Sequence, residues 1–183
     1  MTVIATALDE LRRAIESIDP AAKGAAIERI LAAKGHHLMG YGCGREALQL
    51  RGFIMRLHHL GLSVSMQGDM TAPALGPGDL LLVTAGPGNL STVRALMEQA
   101  GTAGADRLLI TAVSDAPLAE LATQTLILPT TTMADDQTVQ PVLPMGSLFE
   151  GALFLLFELI VLELRERLGE TAETMRARHT NME

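Results

Sequence analysis

Two glycine-rich turns and two isolated titratable residues hold most of the chemistry this sequence could perform. The first turn, Gly42-Cys43-Gly44-Arg45-Glu46, follows a short apolar run; the second, Thr84-Ala85-Gly86-Pro87-Gly88-Asn89-Leu90-Ser91-Thr92, follows the apolar run at 80–83. A glycine turn between a strand and a helix offers backbone N–H groups to an anion, normally assisted by Ser or Thr hydroxyls. The second turn has that outline without much of the chemistry. Pro87 has no N–H, and positions 85–90 carry no hydroxyl. In the first turn, Arg45 is placed to meet a ligand at the carboxyl end of a strand, its alternative being an ion pair with Glu46. Glu46 reads equally well as a first-turn helix acid or as an acceptor for a ligand hydroxyl. Glu150 stands among Leu148, Phe149 and Leu153, apolar surroundings that raise a carboxyl pKa and suit acid–base work; the helix dipole alone would also favour an acid there. His179 lies close to the chain end, where a solvated histidine is the ordinary case.

Hydrophobic spacing places these groups on elements. Leu8, Leu11, Ile15 and Ile18 repeat at helical intervals over 5–18, which stops at Asp19-Pro20, and a second helix is expected over 21–33. A short strand at 36–41 empties into the first glycine turn, and helical spacing resumes over 46–60 before Gly61. Strands at 62–66, 80–84, 108–111 and 125–128 alternate with helices at 90–101 and 117–122. Strands apolar throughout, alternating with helices, predict a parallel sheet covered on both faces, a three-layer α/β/α sandwich. The irregular stretch 129–144, bounded by prolines, reads as a binding loop or lid, with disorder as the alternative. A long apolar helix then leads to a break near Gly169 and a last helical segment reaching about His179. The expected organisation is one domain over 1–183, with N-terminal helices at 3–33, an α/β core at 36–146 and C-terminal helices at 147–181.

Composition excludes several classes of partner. A net charge of -7, 3% aromatic content and no Trp remove the basic surface and stacking platform of a nucleic-acid binder. Cys43 is the single cysteine, so no internal disulfide can form, and residues 1–18 lack the pattern of a signal peptide; a cytoplasmic location is expected. The apolar segment after 147 is interrupted by Glu150, Glu158 and Glu163, each costly in hydrocarbon, so it is expected to be buried in protein with no membrane span. His36-His37 lacks partner ligands at a metal-site spacing, and the ten methionines read as fillers of irregular core space.

Three longer segments carry a resemblance: FIMRLHHLGLSV at 53–64, QPVLPMGSLFEGALFLLFE at 140–158 and ETMRARHTNME at 173–183. Together they resemble the 6-phospho-3-hexuloisomerase family of sugar isomerase (SIS) domain proteins, from the first helix to the last residue. The resemblance implies a five-stranded parallel, flavodoxin-like sheet, a homotetramer or dimer, and no metal or organic cofactor. It also implies interconversion of a 3-ketose 6-phosphate and fructose 6-phosphate through an enediol. That reaction needs a base beside the acidic C–H and a donor near the carbonyl oxygen. By the resemblance Glu150 is the base, and His179 reaches the site of a neighbouring subunit.

Departures from the family pattern fall at the phosphate end. Where relatives read Gly-Arg-Ser-Gly, this chain reads Gly44-Arg45-Glu46-Ala47; where they read Ser-Gly-Ser-Gly-Glu-Thr, it reads Ala85-Gly86-Pro87-Gly88-Asn89-Leu90. Gly-Glu-x-x-Thr-Pro becomes Gly68-Asp69-Met70-Thr71-Ala72-Pro73. A carboxylate about 5 Å from a phosphate costs roughly 3 kcal/mol per phosphate charge at an effective dielectric constant near 20, and each lost bond to a charged group removes about 1.5–3 kcal/mol. The expectation is therefore a cofactor-independent ketose isomerase whose substrate differs from the family's sugar phosphate. Glu150 and His179 would be catalytic, and Gly44, Arg45, Glu46, His59, Asp69, Ala85, Gly86, Gly88 and Asn89 would bind substrate. The alternatives are a sugar-binding sensor without turnover, and a phosphosugar isomerase with a rearranged loop.

Overall fold

The computed structural model describes residues 2–135, 138 and 140–182. Two helices open the chain. The Thr2 hydroxyl accepts from the Ala5 N–H to cap α1 (Val3–Glu16), and the Asp19 carboxylate accepts from Ala21 and Ala22 to cap α2 (Pro20–Ala32). Pro20 occupies the first helical position, where no N–H is required. Then come β1 (His37–Tyr41), α3 (Gly44–His59), β2 (Ser63–Met66), β3 (Leu80–Thr84), α4 (Ser91–Thr102), β4 (Asp106–Thr111), a 3₁₀ turn (Pro117–Leu121), β5 (Gln124–Ile127), α5 (Ser147–Leu168) and α6 (Ala172–Ala177). The helix expected at 117–122 is thus a 3₁₀ turn. Five residues headed by a proline give too few i→i−4 bonds to sustain an α-helix, and Ala122 is already extended.

All five strands pair in parallel in the order β2-β1-β3-β4-β5. In such an order the connections leave in opposite directions from β1 and β3, opening a crevice beyond their carboxyl ends. Every residue of β3 is buried, as a central strand covered on both faces requires. The edge strand β2 departs from the expected continuous apolar run, because Ser63 and Ser65 alternate with Val64 and Met66. Those serines have a partner: the two ring nitrogens of His37 lie 2.9 Å from the Ser63 hydroxyl and 2.8 Å from that of Ser65.

The sandwich is uneven. Helices α1, α2, α3 and α5 cover one face around Ile27, Leu57, Leu82 and Phe157, whereas α4 and the 3₁₀ turn cover the other around Val83, Met97, Leu109 and Leu118. Phe53 and Phe157 stack with centroids 4.3 Å apart, locking α3 against α5. Parts of the 129–144 loop at 136, 137 and 139 lie outside the described residues; the rest is irregular with turns at 133–135 and 144, and both oxygens of Glu10 on α1 accept from the Val142 N–H at 3.1 Å. Among the described residues no helix is long and apolar enough to cross a membrane.

Candidate active site

At the crevice between β1 and β3, the first turns of α3 and α5 and the residues leading into α4 converge on a pocket of about 310 Å³. Its walls include Cys43 before α3, Gly44, Arg45 and Glu46 in its first turn, Pro87 and Leu90 before α4, Thr132 and Met133 from the long loop, and Met145, Gly146, Phe149 and Glu150 around the start of α5. No side chain caps any of these three helices, whereas α1, α2 and α6 are capped by Thr2, Asp19 and Thr171. Three open helix N-termini around one cavity give it a positive backbone field that suits hydrogen-bond acceptors.

Glu46 answers that field from inside the protein. Its two carboxylate oxygens accept from the Gly86 N–H at 3.2 and 3.1 Å, so the second glycine turn already holds an anion, supplied by the first. Burial lifts the Glu46 pKa above the ordinary carboxylate value. The Gly86 N–H opposes that rise, as does the Thr84 hydroxyl, which is buried close by without reaching hydrogen-bond geometry; the charge of Glu150 adds to it. The turn closes further at Gly88, whose N–H donates to Ala85 C=O at 2.8 Å and whose φ of 78° suits glycine. Ala85 donates to Ile110 C=O at 3.0 Å. With Pro87 lacking an N–H, the stretch 85–88 has no open amide. Gly86 must also be a glycine for space, since a Cβ there would lie 2.8 Å from Glu46 Oε1 and 2.9 Å from the Phe149 ring. Gly86→Ala is expected to cost about 1–3 kcal/mol, lowering Tm by roughly 3–10 °C in a calorimetric scan.

Glu150 faces the same pocket with a mostly buried side chain, and Arg45 Nε approaches its Oε1 at 3.1 Å. Burial raises its pKa, and the Arg45 guanidinium partly reverses the shift. Arg45 is occupied as a brace: it also donates to Ser147 Oγ at 3.1 Å and to the Met145 carbonyl. Met145 has φ 55°, the one non-glycine with positive φ among the described residues, and such strain concentrates at functional sites. Sequence reading missed this brace, because nothing local in Met145-Gly146-Ser147 announces a partner 100 residues earlier in the chain. A raised-pKa carboxylate held beside a cation in a small cavity can take a proton from carbon and return it to the neighbouring carbon.

The remaining residues expected to act on substrate lie elsewhere. His59, in the last turn of α3, stacks on His179 with 5.2 Å between ring centroids, and α3 spans roughly 22 Å from its first turn at 1.5 Å per residue. Within one chain, therefore, the structure does not bring His179 to Glu150. The carboxylate of Asp69 accepts from the Met66 N–H at 2.9 Å and closes its own turn after β2. Asn89 lies between the wall residues Pro87 and Leu90 and is not itself part of the wall.

The fold is that of SIS-domain proteins. A hypothetical protein from Methanococcus jannaschii, for which a molecular function of 3-hexulose-6-phosphate isomerase has been inferred, superposes with a TM-score of 0.84 at 24% identity, covering 98% of each chain. The Vibrio vulnificus NanR protein complexed with ManNAc-6P superposes with a TM-score of 0.76 at 21% identity over 96% of this chain and 65% of that one. In sequence, the 3-hexulose-6-phosphate isomerase of Mycobacterium gastri is 37% identical over 175 residues, covering 96% of this chain and 87% of the relative. That of Bacillus subtilis is 30% identical over 184 residues, covering 98% and 97%. No protein-family model matches the chain. On these relatives, the chain belongs to the 3-hexulose-6-phosphate isomerase family of SIS-domain isomerases.

Proposed function

We propose that the protein is a cofactor-independent ketose isomerase that works through an enediol, with Glu150 moving the proton and Arg45 holding Glu150 in place. Its substrate is not gripped at 85–88 as a phosphate ester. The observation that carries this reading is the Glu46 carboxylate on the Gly86 N–H: the amide a phosphate would use is taken, and by a like charge. The pocket then offers two carboxylates and one guanidinium, a balance suited to an uncharged polyol whose hydroxyls donate to Glu46. Incubation in deuterated water with 3-hexulose 6-phosphate, fructose 6-phosphate and unphosphorylated 3- and 2-ketohexoses tests it. Deuterium is expected beside the carbonyl of an unphosphorylated ketose; exchange confined to the phosphate esters overturns the substrate claim, and none on any sugar overturns the enzyme.

A second reading keeps the phosphate but moves it. Ser91 and Thr92 open α4, whose first turn no side chain caps, and they could supply the hydroxyls that 85–90 lack. In that case fructose 6-phosphate exchanges in the same assay and Ser91→Ala raises its KM.

The working form is a homo-oligomer. Phe154, Leu155 and Leu159 on α5 and Leu48 on the adjoining α3 are exposed, Phe154 at 55% and Leu48 at 64%, an apolar face of the kind a second copy covers. His179, at the far end of α3 from its own Glu150, would then serve a neighbour's pocket. Phe154→Glu is expected to lower the mass seen by sedimentation equilibrium to that of the 19.5 kDa chain; a variant that keeps its assembly would direct attention to another face.

A further inference from the structure

Moving a carbonyl along a sugar relocates two protons, one on carbon and one on oxygen, and Glu150 carries only the first. The charged and titratable groups along the pocket wall are Cys43, Arg45 and Glu46 at the entry to α3 and Glu150 on α5; the long loop and the approach to α4 bring none among the described residues. Arg45 keeps its protons at any working pH, and its Nε, Nη1 and Nη2 are engaged by Glu150, Ser147 and the Met145 carbonyl. The Cys43 Sγ lies 3.4 Å from the Thr92 hydroxyl and 3.7 Å from that of Tyr41.

Glu46 has the properties the second proton needs. Its carboxyl is fixed by the Gly86 N–H and sits against the start of α5, where a Cβ on Gly86 would meet both Glu46 Oε1, at 2.8 Å, and the ring of Phe149, at 2.9 Å. Close by, the Thr84 hydroxyl is fully buried with no hydrogen bond among the described residues, a donor in reserve for a carboxylate that gains and loses charge. Burial and the charge of Glu150 favour a protonated Glu46, against the pull of Gly86 and Thr84, while Arg45 favours an ionised Glu150. Two carboxyls whose surroundings differ in this way divide into an acid and a base. Where Glu46 is ionised it repels a phosphate ester; a bound uncharged sugar displaces water and favours the protonated form.

We propose that Glu46 is a second catalytic residue of the isomerase read above, carrying the oxygen-bound proton while Glu150 carries the carbon-bound one. As Glu150 takes the proton from C2 of a 3-ketose, the C2–C3 double bond forms and the carbonyl oxygen at C3 takes the Glu46 proton, giving the enediol. In the return step the Glu46 carboxylate takes the proton of the C2 hydroxyl, the carbonyl forms at C2, and Glu150 protonates C3. Both residues end as they began.

The test follows isomerisation against pH on whichever ketose, phosphorylated or not, the wild type turns over. Glu46→Gln is expected to lower kcat at least about a hundredfold, with KM for an unphosphorylated ketose within a few-fold. It should also abolish the base limb, because protonated Glu46 is lost as pH rises through its raised pKa. Glu46→Asp keeps a carboxyl and should recover part of the rate together with that limb. Carbon-13 NMR of the glutamate carboxyls in the full chain needs no turnover: the signal missing from Glu46→Gln should titrate at higher pH than the one missing from Glu150→Gln. A wild-type kcat or a surviving base limb in Glu46→Gln, or a Glu46 signal that titrates below that of Glu150, would overturn this role and leave the isomerase standing. A wild type that turns over no ketose would overturn the isomerase, and this role with it.

Discussion

Glu150→Gln is expected to slow deuterium entry beside the substrate carbonyl by about 10²- to 10⁴-fold, the usual contribution of a positioned base, with sugar affinity changed by no more than a few-fold. Glutamine keeps the shape of the side chain and removes only its capacity to accept a proton from carbon. Arg45 keeps its anchors at Ser147 and the Met145 carbonyl, so the pocket wall survives the change. The same carboxylate sets the acid limb of the rate profile. Burial lifts its pKa, so the active, ionised form is lost as pH falls through a value above that of an ordinary glutamate. Arg45 opposes that rise, so Arg45→Ala is expected to move the acid limb to still higher pH. A Glu150→Gln variant that still exchanges deuterium at the wild-type rate would assign the proton transfer to another group.

The scaffold around this residue was readable because it rests on local rules. β3 has the bounds that its unbroken apolar run predicts, 80–84, and the order of strands and helices follows from where the spacing of apolar residues changes. The segment at 117–122 misled because Pro117, a good first helical residue, says nothing about how few turns follow it. Within the site, residue types were legible and directions were not. Nothing near Glu46 in the sequence tells that its carboxylate faces an amide 40 positions later. Nor does Arg45 announce that it braces the turn into α5, or His179 that it rests on His59. Each of these contacts is made only once the sheet has set β1 beside β3 and α3 beside α5, so the information lies in topology.

Glu46→Ser is the substitution that should change substrate choice most. It removes a carboxylate from the Gly86 N–H, places a hydroxyl in the turn as the family pattern implied by the resemblance does, and reopens an amide to the pocket. Relief of about 3 kcal/mol of repulsion per phosphate charge corresponds to roughly a hundredfold, so KM for fructose 6-phosphate should fall by about that factor. Turnover of an unphosphorylated ketose should weaken as its acceptor is lost. Stability should move as well, with a sign opposite to that of a salt-bridged acid. Because the folded pKa of Glu46 is raised, its ionisation opposes folding: the cost is absent below the unfolded pKa and complete above the folded one. The wild type should therefore lose stability from this group as pH climbs through the raised value, and Glu46→Gln should flatten that part of the curve. Urea denaturation across that pH range measures it, and identical pH dependence in the two proteins would mean that the Glu46 carboxylate is not held against its charge in the fold.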